Sequence, residues 1–476
     1  MDIVFWTLAI TEWLIRLIML PVIVLRQEKP APTLAWLAIV FFEPWIGLGA
    51  YLLIGENRLG RKRLARRRIR QREFASSYTP PLDPRHVLNH RLPRDHGLLV
   101  QLAEQFGGLP AVDNNDVSFL VDTEATIERL IEDIDTATDH VHLMFYIYQD
   151  DEVGRRVADA LIRARSRGVS CRVLADGVGS RRLFRRLAPE MRNAGIEVVD
   201  ALPAKLYRIA LARLDLRNHR KLAVIDGRVA YAGSQNIVEP TYGHPKAGVW
   251  HDIMARITGP VVQQLQGIFL EDWFHESGQL IDATDLATSR EATGEVAVQV
   301  VPSGPDLPRD EFQDLVVKAI LLAQRQVVIT SPYFVPNEGV LMALRLAALR
   351  GVRVVLVVPR RSDHRVVDAA GSFYLEYLAA FGIEVYFHQE GFLHAKTLTV
   401  DDDLALFGSA NYDIRSFDLN FELSLFLHDQ SAVAELYALQ ERYLRESRPA
   451  TDADWPSRTF AGRLKVNLAK LLAPLL

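Results

Sequence analysis

The sequence predicts an α/β protein in which two pseudo-symmetric halves follow two transmembrane helices. Two observations support this prediction: two long apolar stretches close to residue 1, and a polar motif that occurs twice at a fixed separation. In the rest of the chain, apolar strand patterns alternate with helical patterns. That alternation is typical of βαβ units, so we expect mixed, mostly parallel sheets flanked by helices.

The first element is a pair of apolar stretches, residues 1 to 25 and 34 to 54. Apolar residues occupy 19 of 25 positions in the first stretch and 17 of 21 in the second. A membrane-spanning helix needs about 20 such residues. A cleaved signal peptide is the alternative, but Asp2 replaces the usual basic start and a second apolar stretch follows. We therefore predict a two-helix membrane anchor over residues 1 to 57.

Three residues within these stretches are unusual for a membrane helix. Glu12 and Arg16 are four residues apart, so they can pair on one face of the first helix. Pro44 is expected to kink the second helix, because proline cannot donate the backbone hydrogen bond of its turn.

The second element is a basic collar that runs into a proline-rich linker, residues 58 to 95. Nine of the fifteen residues from Arg58 to Arg72 are Lys or Arg. The positive-inside rule places this stretch in the cytoplasm and, with two spans, places the N-terminus there too. The collar can also attract anionic lipid headgroups. This orientation places the body on the cytoplasmic side of the membrane.

The formal net charge of −4 conceals this asymmetry. Residues 1 to 75 contain twelve basic and six acidic residues, which gives +6. The remaining 43 basic and 53 acidic residues give −10. An acidic body disfavours a nucleic-acid partner. The single cysteine, Cys171, excludes an internal disulfide and any multi-cysteine metal site, and it fits a reducing compartment.

The third element is an internal duplication, with a first half at 96 to 290 and a second at 291 to 448. In each half a helical stretch ends in Arg-Gly-Val and runs into an apolar strand, followed by a Gly-Ile-Glu-Val segment. The pattern H-x-K-x4-D-x6-G-S-x-N then occurs in both halves, 175 residues apart. Its specified residues are His219, Lys221, Asp226, Gly233, Ser234 and Asn236 in the first half and His394, Lys396, Asp401, Gly408, Ser409 and Asn411 in the second.

The spacing of this motif suits a phosphodiester substrate. Residues two apart on a strand share a face, so each histidine points the same way as its lysine, and each serine the same way as its asparagine. The lysines, serines and asparagines would bind the phosphate oxygens and stabilise the transition state. One histidine can attack phosphorus while the other protonates the leaving alkoxide. The motif aspartates complete the catalytic pattern, and we expect them to fix a hairpin turn rather than to act as acid or base.

Each half also offers a carboxylate that could orient a histidine. These are Asp252 in the first half and Glu422 in the second. Carboxylates commonly fix the tautomer of a catalytic imidazole. The sequence does not assign either carboxylate to a particular histidine. Metal binding is the alternative use of such groups, but a lysine beside each histidine would repel a cation, so we expect no metal.

These motifs resemble those of the phospholipase D superfamily, and the resemblance extends to the membrane-anchored bacterial cardiolipin synthases. The further matching segments are 33–36, 47–55, 331–336, 391–396, 415–417 and 420–422. One departure is Ser234, at a position where these synthases often have glycine. The resemblance implies two phospholipase D-like halves and localisation in a bacterial cytoplasmic (inner) membrane.

The resemblance also implies a reaction. Two phosphatidylglycerols would be joined into cardiolipin with release of glycerol, through a phosphatidyl-histidine on His219, while His394 serves as acid and then as base. No cofactor is needed, since the number of phosphodiesters does not change. The implied partners are phosphatidylglycerol and anionic membrane lipids, and a homo-oligomer is compatible with the sequence without being required by it.

Several alternatives stay open at this point. A phospholipase D-type hydrolase or another phosphatidyltransferase would use the same motifs, and a non-catalytic scaffold is disfavoured because both motifs are complete. The sequence does not decide which histidine is the nucleophile, or whether the second substrate is phosphatidylglycerol or phosphatidylethanolamine. An insertion before His219 with Lys205, Arg208, Arg213 and Arg217, and an amphipathic segment at 449 to 476, could contact lipid. The C-terminal segment could dock on the membrane or on the body.

Overall fold

The structure is a computed structural model, and it describes most of the 476 residues. The described residues are 2–26, 30–55, 63, 66, 87–88, 92, 94–107, 109–203, 213, 215–243, 248–281, 293–306, 311–455 and 459–471. The chain divides into two compact units. We call Met1–Ile69 with Pro203–Leu216 the N-terminal unit, and Arg70–Leu202 with Arg217–Leu476 the sheet unit. Most of the predicted collar and linker lies outside the described residues, as do Lys205 and Arg208.

The described part of the N-terminal unit contains three helices, α1 (Asp2–Arg26), α2 (Pro30–Phe42) and α3 (Pro44–Ile54). Among the described residues only α1 is long and apolar enough to cross a membrane. The predicted second span at 34 to 54 is not one helix. It is interrupted at Glu43, where the backbone leaves the helical conformation, and a new helix begins at Pro44. The predicted kink is therefore a complete break, and the two-span prediction is not confirmed.

The sheet unit is built around one large mixed sheet. The strands of its first half are β1 (Val112–Leu120), β2 (His140–Phe145), β3 (Ser170–Asp176), β4 (Glu197–Ala201), β5 (Arg217–Asn218), β6 (Leu222–Ile225), β7 (Val229–Gly233), β8 (Trp250–His251) and β9 (Met254–Thr258). The strands of its second half are β10 (Val296–Ser303), β11 (Gln326–Thr330), β12 (Phe334–Val335), β13 (Arg353–Pro359), β14 (Glu384–His388), β15 (Phe392–Leu393), β16 (Thr397–Val400), β17 (Leu404–Gly408), β18 (Tyr412–Asp413), β19 (Asn420–Leu427) and β20 (Ser447–Pro449).

The strand order displays the duplication. It runs β20-β14-β13-β11-β16-β17-β19-β10-β1-β9-β7-β6-β2-β3-β4. The order on one side of the β1–β10 pair mirrors the order on the other side, with β20 added at one edge. The two central strands pair antiparallel, with Val112 opposite Val298, so the halves share one continuous sheet.

The prediction of mostly parallel sheets is wrong. Along this strand order, only β2–β3 and β3–β4 in the first half, and β11–β13 and β13–β14 in the second, are parallel. The other pairings along it are antiparallel, and they include the tight hairpins of the motif strands, β6 to β7 and β16 to β17. The βαβ pattern read from the sequence describes only the outer part of each half.

Helices cover both faces of the sheet. They are α4 (Arg94–Gly107), α5 (Thr123–Thr136), α6 (Glu152–Ser166), α7 (Ala188–Asn193), α8 (Val261–Ser277), α9 (Glu311–Leu322), α10 (Glu338–Leu349), α11 (Arg365–Ala379), α12 (Ile414–Asp418), α13 (Gln430–Arg445) and α14 (Phe460–Leu471). Successive residues along a strand point to opposite faces of the sheet. Val328 packs in one core cluster with α8 and α13, whereas Val327 packs in another with α9, α10 and α11. The C-terminal helix α14 packs against α11, so one face of the predicted amphipathic segment lies on the body.

Two short parallel pairings cross from one half to the other. Strand β5, which ends just before His219, pairs with β19 of the second half. Strand β15, which ends just before His394, pairs with β8 of the first half. The backbone N–H of His219 then donates to Phe421 O, and that of His394 to His251 O, at 2.9 and 2.8 Å. Each motif histidine is therefore fixed against the other half.

Candidate active site

Both motif histidines line one cavity of about 430 Å³. His219 and Asn236 contribute to its wall from the first half, and His394 and Asn411 from the second. The imidazoles are largely buried, with 9% exposure for His219 and 4% for His394. The duplicated motif thus converges on a single site rather than forming two.

The orienting carboxylates are exchanged between the halves. His219 Nδ1 lies 2.8 Å from Glu422 Oε2, and His394 Nδ1 lies 2.6 Å from Asp252 Oδ1. The crossed strand pairs cause this exchange, because each carboxylate stands on or beside the strand that meets the other half's histidine. In each pair the carboxylate assigns the proton to Nδ1, so Nε2 carries the lone pair that chemistry requires.

The two motif serines also contact these carboxylates. Ser234 Oγ donates to Asp252 Oδ1 at 2.5 Å, and Ser409 Oγ donates to Glu422 Oε2 at 2.6 Å. Both serines are fully buried. Their predicted contact with a substrate phosphate stays a prediction, and the geometry gives the hydroxyls a second use in holding the carboxylates. The side chains of Asn236 and Asn411, by contrast, line the cavity.

Electrostatics keep the imidazoles neutral and the carboxylates charged. Burial lowers the pKa of His219 to about 4 and that of His394 to about 3, although the carboxylate partners oppose this shift. Burial also disfavours the charged carboxylates. The histidines nevertheless hold the pKa values of Asp252 and Glu422 below their usual range.

The motif lysines are buried behind the histidines. Lys221 Nζ donates to His219 O at 2.7 Å, and Lys396 Nζ donates to His394 O at 2.6 Å. Burial lowers the pKa of Lys221 to about 8 and that of Lys396 well below its usual range, against the attraction of Asp252 and Glu422. A desolvated ammonium group attracts an incoming anion, because the negative charge of a phosphate stabilises the protonated amine that burial has deprived of water.

The motif aspartates lie in turns. The Asp226 carboxylate accepts hydrogen bonds from the backbone N–H groups of Thr138, Asp139 and His140, and Asp401 accepts from those of Gln324, Arg325 and Gln326. Both adopt left-handed backbone angles, with φ of 51° and 50°. Neither lines the cavity. This geometry supports the expected turn-fixing role.

Sequence reasoning missed several residues of the site. Tyr146 stacks edge-on against His219, with ring centroids 4.8 Å apart, and Trp250 lies 4.6 Å from His394. Asp176 accepts from Asn218 N and from the Arg217 guanidinium, and it thereby holds the residues before His219. Arg217, which the sequence places only in a lipid-contacting insertion, is buried and lines the cavity. Arg415, which the sequence indicates only within a matching segment, also lines it. None of these belongs to the repeated motif, so the duplication gave no signal for them.

Comparison with known protein families identifies two matching segments. The family described as "Cardiolipin synthase, PLD-like domain" matches residues 130–273 and again 316–443. A second family, "Phospholipase_D-nuclease N-terminal", matches residues 13–56. The repeated match confirms the internal duplication.

Curated relatives extend over almost the whole chain. "Cardiolipin synthase A" of Serratia proteamaculans is 36% identical over 494 aligned positions, which cover 99% of this chain and 98% of the relative. The enzyme of the same name from Pectobacterium carotovorum is also 36% identical, with the same coverage. Among solved structures, phosphatidylserine synthase of Haemophilus influenzae superposes with a TM-score of 0.60 at 17% identity, covering 79% of this chain and all of that one. That similarity shows a shared fold.

Proposed function

The chain belongs to the cardiolipin synthase family with phospholipase D-like domains, and on that basis we propose that it makes cardiolipin from two phosphatidylglycerols. The observation that carries the mechanism is the pair of crossed His–carboxylate contacts at one cavity backed by two buried lysines. This arrangement supplies a nucleophile, an acid and anion stabilisation, without any cofactor.

In the first step His219 Nε2 attacks the phosphorus of one phosphatidylglycerol. A P–N bond forms and the bond to the terminal glycerol oxygen breaks. His394, protonated while the phosphodiester anion occupies the site, donates its Nε2 proton to that oxygen, and glycerol leaves. The phosphatidyl group is then held on His219, and the charge on the imidazolium is balanced by Glu422.

In the second step His394 is the base. Its neutral Nε2 takes the proton from a primary hydroxyl of the second phosphatidylglycerol, and the resulting alkoxide oxygen attacks phosphorus. The P–N bond breaks, cardiolipin is released, and His219 returns to its neutral form. The number of phosphodiester bonds is conserved, so no energy source is consumed.

We assign the supporting roles as follows. Lys221 and Lys396, together with Asn236 and Asn411, stabilise the negative charge on the phosphate oxygens. Asp252 and Glu422 orient the histidines, and the two motif serines support the carboxylates. No metal is required by these roles, and both His–carboxylate pairs come from one chain, so a homo-oligomer is not required either.

We place the enzyme in the bacterial inner membrane with the sheet unit on the cytoplasmic side. The N-terminal family match and the apolar helix α1 support a membrane location. The nine basic residues between Arg58 and Arg72 support the cytoplasmic side. The two-span path predicted from the sequence is one way to thread the anchor, and a single span followed by a re-entrant hairpin is another.

The test is to incubate the purified full chain with phosphatidylglycerol in detergent. We expect cardiolipin and glycerol in equal amounts, and no product from the His219→Ala or His394→Ala variants. Phosphatidic acid as the sole lipid product would overturn the synthase assignment in favour of a hydrolase. Adding phosphatidylethanolamine, and following whether glycerol or ethanolamine is released, decides which of the two lipids donates the phosphatidyl group.

The nucleophile is tested separately. Radiolabelled phosphatidylglycerol, followed by a rapid quench at alkaline pH and peptide mapping, should place the label on the peptide that contains His219. Label on the peptide that contains His394 would reverse the two roles.

A further inference from the structure

The C-terminal helix α14 has two faces in opposite environments. Val466 and Ala469 face the rest of the sheet unit and are 3% and 6% exposed. Four large apolar side chains project away from it, with exposures of 50% to 78%: Phe460, Leu464, Leu468 and Leu471. Their spacing of four, four and three residues places them on one helical stripe. We call these four residues the apolar stripe.

The stripe belongs to a helix that is connected to the candidate active site through α11. Helix α14 packs on α11, and the ammonium group of Lys470 lies 3.8 Å from the ring centroid of Phe373. At the start of α11, His364 and Val367 line the cavity. A surface that holds α14 would therefore lie next to the helix that forms one wall of the site.

The charged residues around the apolar stripe indicate what covers it. Arg463 and Lys465 lie on either side of it along the helix, in a body that carries an excess of acidic residues. Basic residues flanking an exposed apolar face are typical of helices that lie in the interface of an anionic bilayer. We propose that α14 is a second membrane contact, with the apolar stripe inserted among the lipid headgroups and acyl chains. This contact is separate from the N-terminal anchor and does not depend on the proposed reaction.

Fluorescence quenching in the full chain tests this proposal. Leu464→Cys and Leu468→Cys would each be labelled with an environment-sensitive fluorophore and reconstituted into phosphatidylglycerol bilayers with brominated acyl chains. The native Cys171 should not react, because it is buried and its thiol pKa is raised to about 11. The matched control is Glu441→Cys on α13, since its side chain is 48% exposed and α13 covers the opposite face of the sheet.

We expect quenching at positions 464 and 468 to be at least threefold stronger than at 441. Equal quenching at all three positions would overturn the proposal. A blue-shifted emission at 464 without quenching would also overturn it, because protein, such as a second copy of the chain, would then cover the stripe. Both labelled positions are exposed, and a thermal midpoint equal to that of the unsubstituted chain verifies the fold.

Independent observations in the N-terminal unit carry a second inference, about the path of the chain through the membrane. Helices α2 and α3 form an antiparallel hairpin. A Cβ added at Gly47 would lie 2.6 Å from Val40 Cα, and the rings of Trp36 and Tyr51 meet edge-on at 5.3 Å. Both contacts are symmetric about the break at Glu43. In one straight helix, residues 40 and 47 would lie about 10 Å apart along the axis and could not touch.

The tip of this hairpin lies beside the middle of α1. Arg16 Nε donates to Phe41 O at 2.9 Å, next to the break. Arg16 is ten residues from the end of α1 at Arg26, about 15 Å along the axis. That distance is half of a hydrocarbon core about 30 Å thick. Helices of 13 and 11 residues reach only about 20 and 16 Å, so neither crosses the core alone.

We infer that α1 is the one span and that α2 and α3 enter the bilayer and return to the same side. The charges agree. Residues 1 to 15 contain no Lys or Arg, whereas Arg26 and Lys29 follow the span and the collar follows the hairpin. With one span, all of these basic residues lie on the cytoplasmic side, and the Asp2 end of α1 lies outside. Two spans would instead place Arg26 and Lys29 outside.

Site-directed labelling with a membrane-impermeant maleimide distinguishes the two paths without an activity assay. Asp2→Cys, Gln27→Cys and Ser77→Cys would be compared in spheroplasts and in inverted vesicles. We expect position 2 to react in spheroplasts, and positions 27 and 77 to react in inverted vesicles. Reaction of position 27 in spheroplasts and of position 2 in vesicles would establish two spans, and reaction of all three in vesicles would show that α1 does not cross. Either result overturns the inference.

Discussion

The imidazoles at the centre of the site depend on carboxylates from the other half of the chain. Replacing Glu422 by Gln, or Asp252 by Asn, keeps the shape of the side chain. The carboxylate can only accept a hydrogen bond from the histidine Nδ1–H, whereas the amide can also donate one to Nδ1. The histidine would then lose its fixed tautomer and the balance for its charge. We expect kcat to fall by about 10² to 10⁴ with little change in KM. Steady-state rates in mixed micelles measure this effect. A rise in KM at constant kcat would contradict an orienting role.

The motif serines allow a sharper test of role. If Ser409 supports Glu422, as the 2.6 Å contact indicates, Ser409→Ala should lower kcat about tenfold and shift the acidic limb of its pH profile upward. Asn411→Ala removes a side chain of the cavity wall and should mainly raise KM. Two variants with the same KM increase and an unshifted pH profile would indicate that the serine binds the phosphate instead.

At the scale of elements, the motif aspartates hold hairpins together. Asp226 connects the β6–β7 turn to the start of β2 through three backbone N–H groups and the Thr138 hydroxyl, at 2.8 to 2.9 Å. Asp226→Ala leaves these donors without their acceptor, so we expect a loss of about 2 to 4 kcal/mol in unfolding free energy.

Chemical denaturation of the purified enzyme measures this loss. The matched control is Asp402→Ala in the equivalent turn, because the Asp402 side chain is 60% exposed and a surface substitution should cost less than about 0.5 kcal/mol. If the Asp226→Ala protein kept its stability but lost its activity, Asp226 would act in the chemistry and not in fixing the turn.

The elements also show how far the sequence could be interpreted. The exact repeat located the strands of the motif, since apolar period and hairpin residues recur in both halves. It could not give the crossed pairs β5–β19 and β8–β15, because strands of two residues have no periodicity. For the same reason the partner of each histidine, Glu422 for His219 and Asp252 for His394, needed the structure.

In the anchor, by contrast, the sequence pattern predicted one helix where the structure has two. Hydropathy alone joined residues 34 to 54 into one span, since seventeen apolar positions outweigh one glutamate and one proline. Whether Pro44 bends a helix or ends it depends on what packs beside it. Here the small surface of Gly47 allows α3 to fold back against Val40.

At the scale of the whole molecule, buried neutral histidines make stability depend on pH. Burial lowers the pKa values of a group of them: His142, His219, His388, His394 and His428. In the unfolded chain these groups bind protons below about pH 6.5. Between that value and their lower folded pKa values, near 4 for His219, the unfolded state binds more protons, so stability falls as pH falls.

We therefore expect the thermal midpoint to drop between pH 7 and pH 4. Each histidine contributes at most about 1.4 kcal/mol per pH unit within its window. Calorimetry in detergent across this range measures the slope, and His428→Leu, outside the cavity, should make it shallower. A midpoint that is constant from pH 7 to pH 4 would contradict the burial of neutral imidazoles.

The exchange of carboxylates between halves has a genetic consequence. A damaged first half removes both its own histidine's function and the support of the other histidine, so neither half is a spare copy despite the duplication. Inactivating alleles in the two halves should therefore fall into one complementation group. Cells that carry one chain with Glu422→Gln and another with Asp252→Asn would have no intact site, and selection has to preserve the two repeats jointly.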